Sequence, residues 1–491
     1  MRRHPRLLEL NAFFYISRMS EKYGRKLTLS TIPPEEWRSF AEQGFDYLWL
    51  MGVWKRSPFS REHAQKQPDL RRAYDMILPD WKKEDVTGSP YAILGYELDP
   101  YLGVMDELLQ LKMKLNGMGL GLILDFVPNH LAADHPWTVQ YPHRFVSCRK
   151  ETLKDHPDWA FTTAKGTKLA HGRDPYFSPW IDTVQNNFWC METRQALLEE
   201  LLMISKLADG VRCDMAMLAL NDVFRRVWGE HITTRPLLTE FWADVIPKVK
   251  YFAPHFSFIA EVYWGMEWEL QQLGFDYTYD KRLYDRLSID SSISVRDHLK
   301  AEGFFQDLSL RFIENHDEER ASVVFGRKKS QAAGIIAGTI RGLRFFHDGQ
   351  LEGRRIRTPI HLRREPKEAA DPATADLYQR LLRFTHSTVV HDGNWTLLTG
   401  ESAWEMNETY LGVLAWLWSY GRNRKLIIVN YSMLRSQALV RIPEIPAGTS
   451  FLQLRDALTD IVYDRSGKEL DEKGFYVDLL PWQAHLLDFV V

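Results

Sequence analysis

The sequence predicts an α/β protein built on a (β/α)₈ barrel, with a small subdomain inserted after the third strand and a C-terminal antiparallel β-domain. Three observations lead to this fold class. Eight short apolar runs alternate with amphipathic stretches, two long intervals interrupt that alternation, and the pattern changes after about residue 390. Strands that alternate with helices are typical of a parallel sheet, and eight such units close a barrel.

Each of the eight apolar runs is predicted to form one barrel strand. Near-continuous apolar runs suit parallel strands, because such strands are buried on both faces. The runs cover residues 7–10, 47–50, 120–124, 210–213, 256–260, 275–279, 310–313 and 342–346.

Helical patterns lie between these runs. Pro34 falls in the first turn of one predicted helix, where the missing N–H costs little. The patterns cover residues 34–43, 103–115, 193–207 and 330–340.

Two long intervals break the rhythm of strands and helices. Residues 55–100 carry many charges around Arg61 to Arg72, which favours a solvated helix and a loop. Residues 131–192 are rich in Pro, His and Trp and are too long for a simple loop. We therefore expect an inserted subdomain there, and insertions at the carboxyl ends of barrel strands form the walls of active sites.

The last hundred residues follow a different pattern. Five short β-prone runs, separated by Asn, Gly, Pro and Asp, indicate antiparallel strands. They cover residues 411–418, 426–430, 438–442, 475–479 and 484–489. The predicted domains are a catalytic barrel of residues 1–130 and 193–389, an inserted subdomain of residues 131–192, and a C-terminal β-sandwich of residues 390–491.

Composition excludes several classes of protein. The chain has 491 residues, of which 45% are apolar, and its net charge is −3, so no nucleic-acid or anionic-membrane partner is expected. The longest stretch without a charge, residues 409–421, is too short to span a membrane. Three dispersed cysteines and the lack of a signal-peptide pattern predict a cytoplasmic protein.

Four predicted strands end in polar clusters. Strand three continues into residues 125–130 (DFVPNH), strand four ends with residues 210–214 (GVRCD), strand five is followed by Glu261, and strand seven by residues 314–317 (ENHD). The carboxyl ends of parallel barrel strands share one face, so these residues are expected to converge.

Three of the converging residues are carboxylates, namely Asp214, Glu261 and Asp317. Carboxylates that share a pocket repel one another and raise at least one pKa. Glycoside cleavage needs this pattern, with one ionised carboxylate as nucleophile and one protonated carboxyl as acid. Arg212 lies two residues before Asp214, so both side chains face the same side of the strand and the guanidinium would keep Asp214 ionised.

The four motifs together resemble those of the alpha-amylase superfamily, glycoside hydrolase family 13. The resemblance implies that Asp214 is the nucleophile of a retaining double displacement, Glu261 the general acid and then base, and Asp317 the group that stabilises the distorted sugar. It also implies that His130, Arg212 and His316 bind that sugar.

Aromatic residues are candidates for stacking against sugar rings. Tyr96 resembles the family tyrosine that stacks under the sugar, while packing in the loop is the alternative. Trp54, Trp264 and Trp268 lie near strand ends and are further candidates, although core packing is the stronger expectation for each.

The resemblance also raises the question of a structural calcium. Many relatives hold one near the residue that corresponds to Asn129, with a backbone carbonyl that here belongs to Leu218. No dense cluster of oxygen ligands is evident in residues 131–192, so a structural calcium near Asn129 stays an open question. No catalytic metal and no other cofactor are expected.

The sequence therefore predicts a retaining glycosidase that acts on the α-glucosidic bonds of oligosaccharides or glucans, with carbohydrate as its partner. It does not indicate an oligomeric state. Two alternatives stay open. A transglycosylase or glucosyltransferase would use the same catalytic residues and pass the sugar to another sugar. A non-catalytic sugar-binding homologue would keep the scaffold, but the three intact carboxylates argue against it.

Overall fold

The computed structural model describes residues 3–289, 291–443, 445 and 449–491. Eight parallel strands close into a barrel, which confirms the predicted fold class. We call them barrel strands one to eight in chain order. They are Arg6–Asn11, Tyr47–Met51, Gly121–Phe126, Gly210–Cys213, Ser257–Ala260, Tyr277–Tyr279, Ser309–Arg311 and Leu343–His347.

Each barrel strand overlaps one of the predicted apolar runs. All five residues of strand two are buried, as expected for a strand with the barrel interior on one side and helices on the other. Each strand pairs with its sequence neighbours, and strand one closes the barrel against strand eight. Because all eight strands run in the same direction, their carboxyl ends share one rim.

Helices surround the barrel, and all four predicted helices are present. They are Pro34–Glu42, Met105–Gly117, Met191–Leu207 and Arg327–Thr339. Pro34 is the first residue of its helix, as predicted. The other helices that follow barrel strands are Ala12–Lys22, Asn221–Trp228, Phe241–Phe252, Glu267–Gln272, Lys281–Ile289, Ser292–Leu299, Gly303–Asp307, Ala321–Val324, Pro372–Thr385 and Thr388–His391.

The long loop after strand two contains two helices where the sequence suggested one. Pro58–Lys66 is followed directly by Pro68–Ile77. Pro68 ends the first helix and begins the second, because a proline lacks the N–H that would continue a helix but fits its first turn. The strands Trp54–Arg56 and Ile93–Leu98 pair antiparallel at the base of this loop.

The insertion after strand three forms a small subdomain of short elements. His130–Ala132 pairs antiparallel with Thr183–Gln185, which joins both ends of the insertion to the barrel rim. Ala160–Thr162 pairs with Lys168–Ala170 farther out. The helices Trp137–Gln140 and Lys150–Asp155 complete the subdomain.

The C-terminal region contains two antiparallel sheets, one of six strands and one of three, that share an apolar core. The strands are Asn394–Leu398, Gly400–Glu401, Val413–Tyr420, Asn423–Asn430, Ser436–Val440, Phe451–Asp456, Val462–Ser466, Phe475–Leu479 and Ala484–Val490, with a helix at Gly467–Lys473. This confirms the antiparallel β-domain. The domain boundaries that the sequence suggests stay predictions.

Within the part of the chain that the structure describes, every helix is either too short or too polar to cross a membrane. Cys148, Cys190 and Cys213 are all free thiols.

Candidate active site

The carboxyl-end rim of the barrel surrounds a cavity of about 740 Å³. Asp214, Glu261, Asp317 and His130 all line it, so the structure brings together residues that are up to 187 positions apart in the sequence. Arg212 and His316 lie directly behind these groups and contact them through ion pairs. The convergence expected from the four strand ends is therefore present.

Arg212 connects two of the three carboxylates. Its side chain is only 1% exposed, its Nη1 lies 2.7 Å from Asp214 Oδ1, and its Nη2 lies 2.8 Å from Glu261 Oε2. The guanidinium also lies over the rings of Trp49 and Tyr91, each at 5.2 Å. A buried arginine held in this way stays charged, and it draws the two carboxyl groups close to each other.

Glu261 has the features of a carboxyl group that exchanges a proton near neutral pH. Its Oε2 accepts a hydrogen bond from the Met215 backbone N at 2.6 Å, and its Oε1 accepts one from the Tyr263 hydroxyl at 2.9 Å. Burial raises the pKa of Glu261 to about 7, against the opposing attraction of Arg212. Near pH 7 the side chain is therefore available both as an acid and as a base.

The backbone beside Glu261 is strained to make one of these contacts. Met215 has a φ of 43°, in the left-handed region that a residue with a side chain rarely adopts. This conformation turns its N–H toward the Glu261 carboxyl group. Strain of this kind is retained where the surrounding structure needs the resulting geometry.

Asp317 faces the cavity from a fixed turn. Its side chain is 44% exposed, while its backbone N and that of Glu318 both donate to Asn315 Oδ1 at 2.9 Å. Partial desolvation would raise the pKa of Asp317, but the neighbouring His316 lowers it well below its usual range. Asp317 should therefore stay ionised near neutral pH, in contrast to Glu261.

His316 is held between two carboxylates. Its Nε2 lies 3.1 Å from Asp317 Oδ2 and 2.7 Å from the Tyr91 hydroxyl, and its Nδ1 lies 2.5 Å from Glu9 Oε1. Burial alone would lower the pKa of His316, but Asp317 and Glu9 together raise it well above its usual value. The ring is thus an imidazolium that links barrel strand one to the cavity. We call Glu9, Arg212, Asp214, Glu261, His316 and Asp317 the ionic cluster.

Comparison with known proteins finds similarity to alpha-amylases. The sequence model of the alpha amylase catalytic domain matches residues 44–199. The chain is 22% identical over 295 residues to alpha-amylase 3 of Dictyoglomus thermophilum, a match that covers 56% of each protein. It is 27% identical over 253 residues to alpha-amylase MalA of Haloarcula japonica, covering 49% of this chain and 32% of that protein.

These matches of sequence and fold support the alpha-amylase superfamily for this chain. Its fold matches that of the maltogenic alpha-amylase AmyB of Thermotoga neapolitana with a TM-score of 0.69 and 17% identity, over 100% of this chain and 99% of that one. The chain matches about half of the length of alpha-amylase 3 and about a third of MalA.

The alpha-amylase resemblance suggested Tyr96 as the stacking residue, and the structure contradicts that prediction. The Tyr96 side chain is 6% exposed and packs between Trp54 and Phe126, outside the cavity lining. Its hydroxyl is tied to the backbone of Val127, at 2.9 Å from N and 3.2 Å from O. The alternative interpretation, a packing tyrosine in the loop, describes its position.

Tyr91 is the tyrosine that lines the cavity. It contacts His316 and lies over Arg212, five residues before Tyr96 in the same loop. Nothing in the local sequence distinguishes the two tyrosines, because loop residues have no period that shows which side chain points inward. Glu9 was also missed, although a lone carboxylate within the apolar residues 7–10 was a usable signal.

The three tryptophan candidates have different positions. Trp54 is fully buried and donates to the Asp125 carbonyl, so it belongs to the core. Trp268 is 44% exposed and contacts Phe304 outside the cavity lining. Trp264 is 37% exposed and lines the cavity, where it is available to a sugar. Core packing was thus the right expectation for Trp54 alone.

The surroundings of Asn129 do not fit a calcium ion. Gln185 Nε2 donates to Asn129 O at 2.9 Å, to Asn129 Oδ1 at 2.9 Å and to Asn186 O at 3.1 Å. The oxygens that would bind a cation are thus already bound to a neutral NH₂ group, and no carboxylate contributes, whereas calcium sites use several charged oxygens. We call Asn129, Gln185 and Asn186 the amide cluster. Among the described residues, no group of His, Cys, Asp and Glu forms a metal-binding set elsewhere.

Proposed function

We propose that the protein is a retaining glycosidase that hydrolyses α-glucosidic bonds in oligosaccharides or glucans. The observation that carries this proposal is the bridge that Arg212 makes between Asp214 and Glu261. One guanidinium that touches both carboxyl groups keeps them close. A separation of about 5 Å is typical of retaining enzymes, whereas inverting enzymes need roughly 6.5 to 9.5 Å to admit a water molecule.

In the first step, a carboxylate oxygen of Asp214 attacks the anomeric carbon and forms an ester. The bond from that carbon to the glycosidic oxygen breaks as the oxygen takes the proton of Glu261. The pKa of about 7 keeps a large fraction of Glu261 protonated in neutral solution. Arg212 holds Asp214 in place and balances its charge.

In the second step, Glu261 is a carboxylate and removes a proton from water, whose oxygen attacks the anomeric carbon and releases Asp214. Positive charge develops on the sugar in both transition states. Asp317, kept anionic by His316, is positioned to stabilise this charge and to accept hydrogen bonds from sugar hydroxyls. His130 and Tyr91 line the same part of the cavity and complete the sugar site.

The acceptor side favours hydrolysis over transfer to another sugar. The loop after strand four turns away from the cavity, and Met217, Leu218, Ala219 and Leu220 are all buried. Met215, Tyr263 and Trp264 remain as cavity residues on this side. Transfer requires an acceptor held well enough to compete with water at about 55 M, and few groups here can orient one.

The proposal is tested by trapping and by product analysis. A fluorinated α-glycosyl substrate that reacts slowly should label Asp214, as shown by peptide mass mapping. Asp222→Asn, at an exposed position of the neighbouring helix, should leave the labelling unchanged. Proton NMR should show the α-anomer as the first product from maltooligosaccharides. Label on another residue or release of the β-anomer would contradict the mechanism, and early accumulation of elongated products would indicate a transferase.

A further inference from the structure

The cavity has two rims that differ in construction. The first, which we call the closed rim, consists of residues 85–89, 180–183 and 360–363, from the loop after strand two, the inserted subdomain and the loop after strand eight. The second, which we call the open rim, contains Tyr263, Trp264, Lys281 and Asp285. Both rims contribute residues to the cavity lining.

The closed rim is held together by buried hydrogen bonds between its loops. The Thr87 backbone N donates to the His361 carbonyl at 2.7 Å, and Val86 pairs with Leu362 in an isolated β-bridge. Arg56, 7% exposed, donates from Nη1 to Gly88 O at 3.0 Å and to Ile360 O at 3.2 Å. These bonds join the loops after strands two and eight into one wall.

The inserted subdomain is joined to the same wall through one serine. Ser60 Oγ donates to Asp182 Oδ2 at 2.5 Å and accepts from the Ser89 backbone N at 2.9 Å. The Asp182 carbonyl in turn accepts from Ala133 N at 2.9 Å. Opening this side of the cavity would break several hydrogen bonds at once, and each buried group left without a partner costs about 1–3 kcal/mol.

The open rim has a different surface. Trp264 is 37% exposed, and its ring lies 5.1 Å from that of Tyr176, which is 64% exposed. Phe177 is 74% exposed and also lines the cavity. Exposed aromatic faces can stack on successive sugar rings, so this side can follow a chain that extends out of the cavity.

The position of the acid decides which end of a sugar chain meets each rim. Glu261 accepts hydrogen bonds from Tyr263, on the open rim, and from the Met215 backbone N. A general acid protonates the oxygen of the leaving group, so the leaving chain lies on the open rim. The sugar that stays on Asp214 must then extend toward the closed rim, where Asp182 and His361 face the cavity.

Asp182 and His361 are suited to bind the hydroxyl groups of a terminal sugar. Burial lowers the pKa of His361 to about 4, so the imidazole is neutral and has both a donor and an acceptor nitrogen. The Asp182 carboxylate accepts hydrogen bonds, and a free sugar hydroxyl can donate to it. A glycosidic oxygen with a further sugar attached would have no hydrogen to donate, and that further sugar would meet the wall that the closed rim forms.

We propose that Asp182 and His361 close the non-reducing side of the cavity and bind the free hydroxyls of a terminal sugar, so that the enzyme cleaves α-glucans from their non-reducing ends. This rests on the proposed function, since it takes Glu261 as the acid. Each cleavage adds the elements of water across the bond that breaks, with OH on the anomeric carbon and H on the leaving oxygen.

The test compares two maltoheptaosides that differ only at the non-reducing end, one free and one blocked by a 4,6-ethylidene acetal. Chromatography should show short sugars released from the free substrate, and cleavage of the blocked substrate should be slower by at least about 100-fold. Equal cleavage of both into internal fragments would overturn this inference and leave the proposed glycosidase intact. Cleavage of neither would overturn both.

Variants test whether the closed rim causes the discrimination against the blocked substrate. The double variant Asp182→Ala with His361→Ala should raise the rate on the blocked substrate relative to the free one by about tenfold or more, because it opens space and removes the hydroxyl partners. The ratio of the two rates is insensitive to partial loss of folded protein. Asp155→Ala, at an exposed position of the same subdomain, is the matched control and should keep the wild-type ratio. An unchanged ratio in the folded double variant would overturn the assignment.

Discussion

The ionic cluster and the amide cluster occupy the same rim of the barrel and, apart from the exposed Asp317, are buried, yet they are built from different chemical groups. The ionic cluster joins barrel strands one, four, five and seven through Arg212, His316 and four carboxylates. The amide cluster joins the end of strand three to the inserted subdomain through Asn129, Gln185 and Asn186. One is charged and faces the cavity, and the other is neutral.

The ionic cluster positions groups for chemistry, whereas the amide cluster positions a loop and serves only the structure. Buried charges are costly to desolvate, and they shift one another's pKa values. The ionic cluster shows this, with the pKa of Glu261 raised and that of Asp317 lowered. Neutral amides hold a loop with hydrogen bonds worth about 1 kcal/mol each and create little electric field. Perturbing the first cluster should therefore change catalysis, and perturbing the second should change stability.

The largest effect is expected for Glu261→Gln. The amide keeps the shape and the Tyr263 contact but cannot donate a proton to the leaving oxygen, so kcat on maltooligosaccharides should fall by at least about 1,000-fold. The melting temperature should stay close to that of the wild type. Glu269→Gln, at an exposed position eight residues on, is the control. Near-normal turnover of an unactivated substrate by Glu261→Gln would remove Glu261 from the mechanism.

A smaller loss is expected for Glu9→Gln, which tests whether the ionic cluster acts as a unit. Glu9 is a positioning residue, since it touches His316 and lies outside the cavity lining. Loss of a hydrogen bond between charged groups is worth about 1.5–3 kcal/mol, which corresponds to a fall in kcat of roughly 10- to 100-fold. KM should change little.

The pH profile distinguishes this role from a purely structural one. Without the Glu9 carboxylate, the pKa of His316 should fall below that of Glu261, so the imidazolium would be lost first and the alkaline limb of kcat should shift to lower pH. Glu9→Asp, which keeps the charge, should recover part of the activity. A loss of activity with no change in the profile and no recovery by Asp would mean that Glu9 serves only the fold.

The wild-type enzyme should itself lose activity as the pH rises through about 7. Glu261 must be protonated to act as the acid, and its pKa is raised to about 7, so the active form is present below this pH and disappears above it. Well above the pKa, kcat/KM should fall about tenfold per pH unit. α-Glucosyl fluoride, whose leaving group needs little protonation, should show a much weaker alkaline limb. If kcat/KM falls equally with rising pH for both substrates, the ionisation that limits activity belongs to a group other than Glu261.

The ionic cluster was largely predictable from the sequence and the amide cluster was not. Asp214, Glu261 and Asp317 follow apolar runs, and parallel strands bring such ends together whatever their separation in the chain. Gln185 and Asn186 lie in a loop-rich insertion, where no periodicity shows which polar side chains turn inward. The positions of Tyr91, Asp182 and His361 could not be predicted either, because they depend on contacts between loops.

The fold shows the same division between periodic and irregular segments. The apolar runs and helical patterns identified all eight barrel strands, because these strands are buried on both faces. Phe451–Asp456 and Val462–Ser466, in the C-terminal domain, were missed. They lie at one edge of the six-stranded sheet. Phe451–Asp456 alternates exposed with buried residues and Val462–Ser466 has no buried residue, so neither forms a continuous apolar run.

The smallest effect, and the sharpest contrast between the clusters, is expected from chelation. If Gln185 takes the place of a cation, EDTA should leave the wild-type melting temperature unchanged, because a ligand that does not bind the native state contributes nothing to its stability.

Gln185→Glu should make the melting temperature depend on calcium. It removes the NH₂ donor and places a carboxylate against Asn129 O, Asn129 Oδ1 and Asn186 O, which should lower stability by several kcal/mol. The same set of oxygens is one that calcium prefers, so millimolar calcium should restore part of the lost melting temperature in this variant alone. Gln195→Glu, at an exposed position of the following helix, should respond to neither reagent. If EDTA lowers the wild-type melting temperature by several degrees and calcium restores it, the wild-type protein binds a cation and the amide cluster does not replace one.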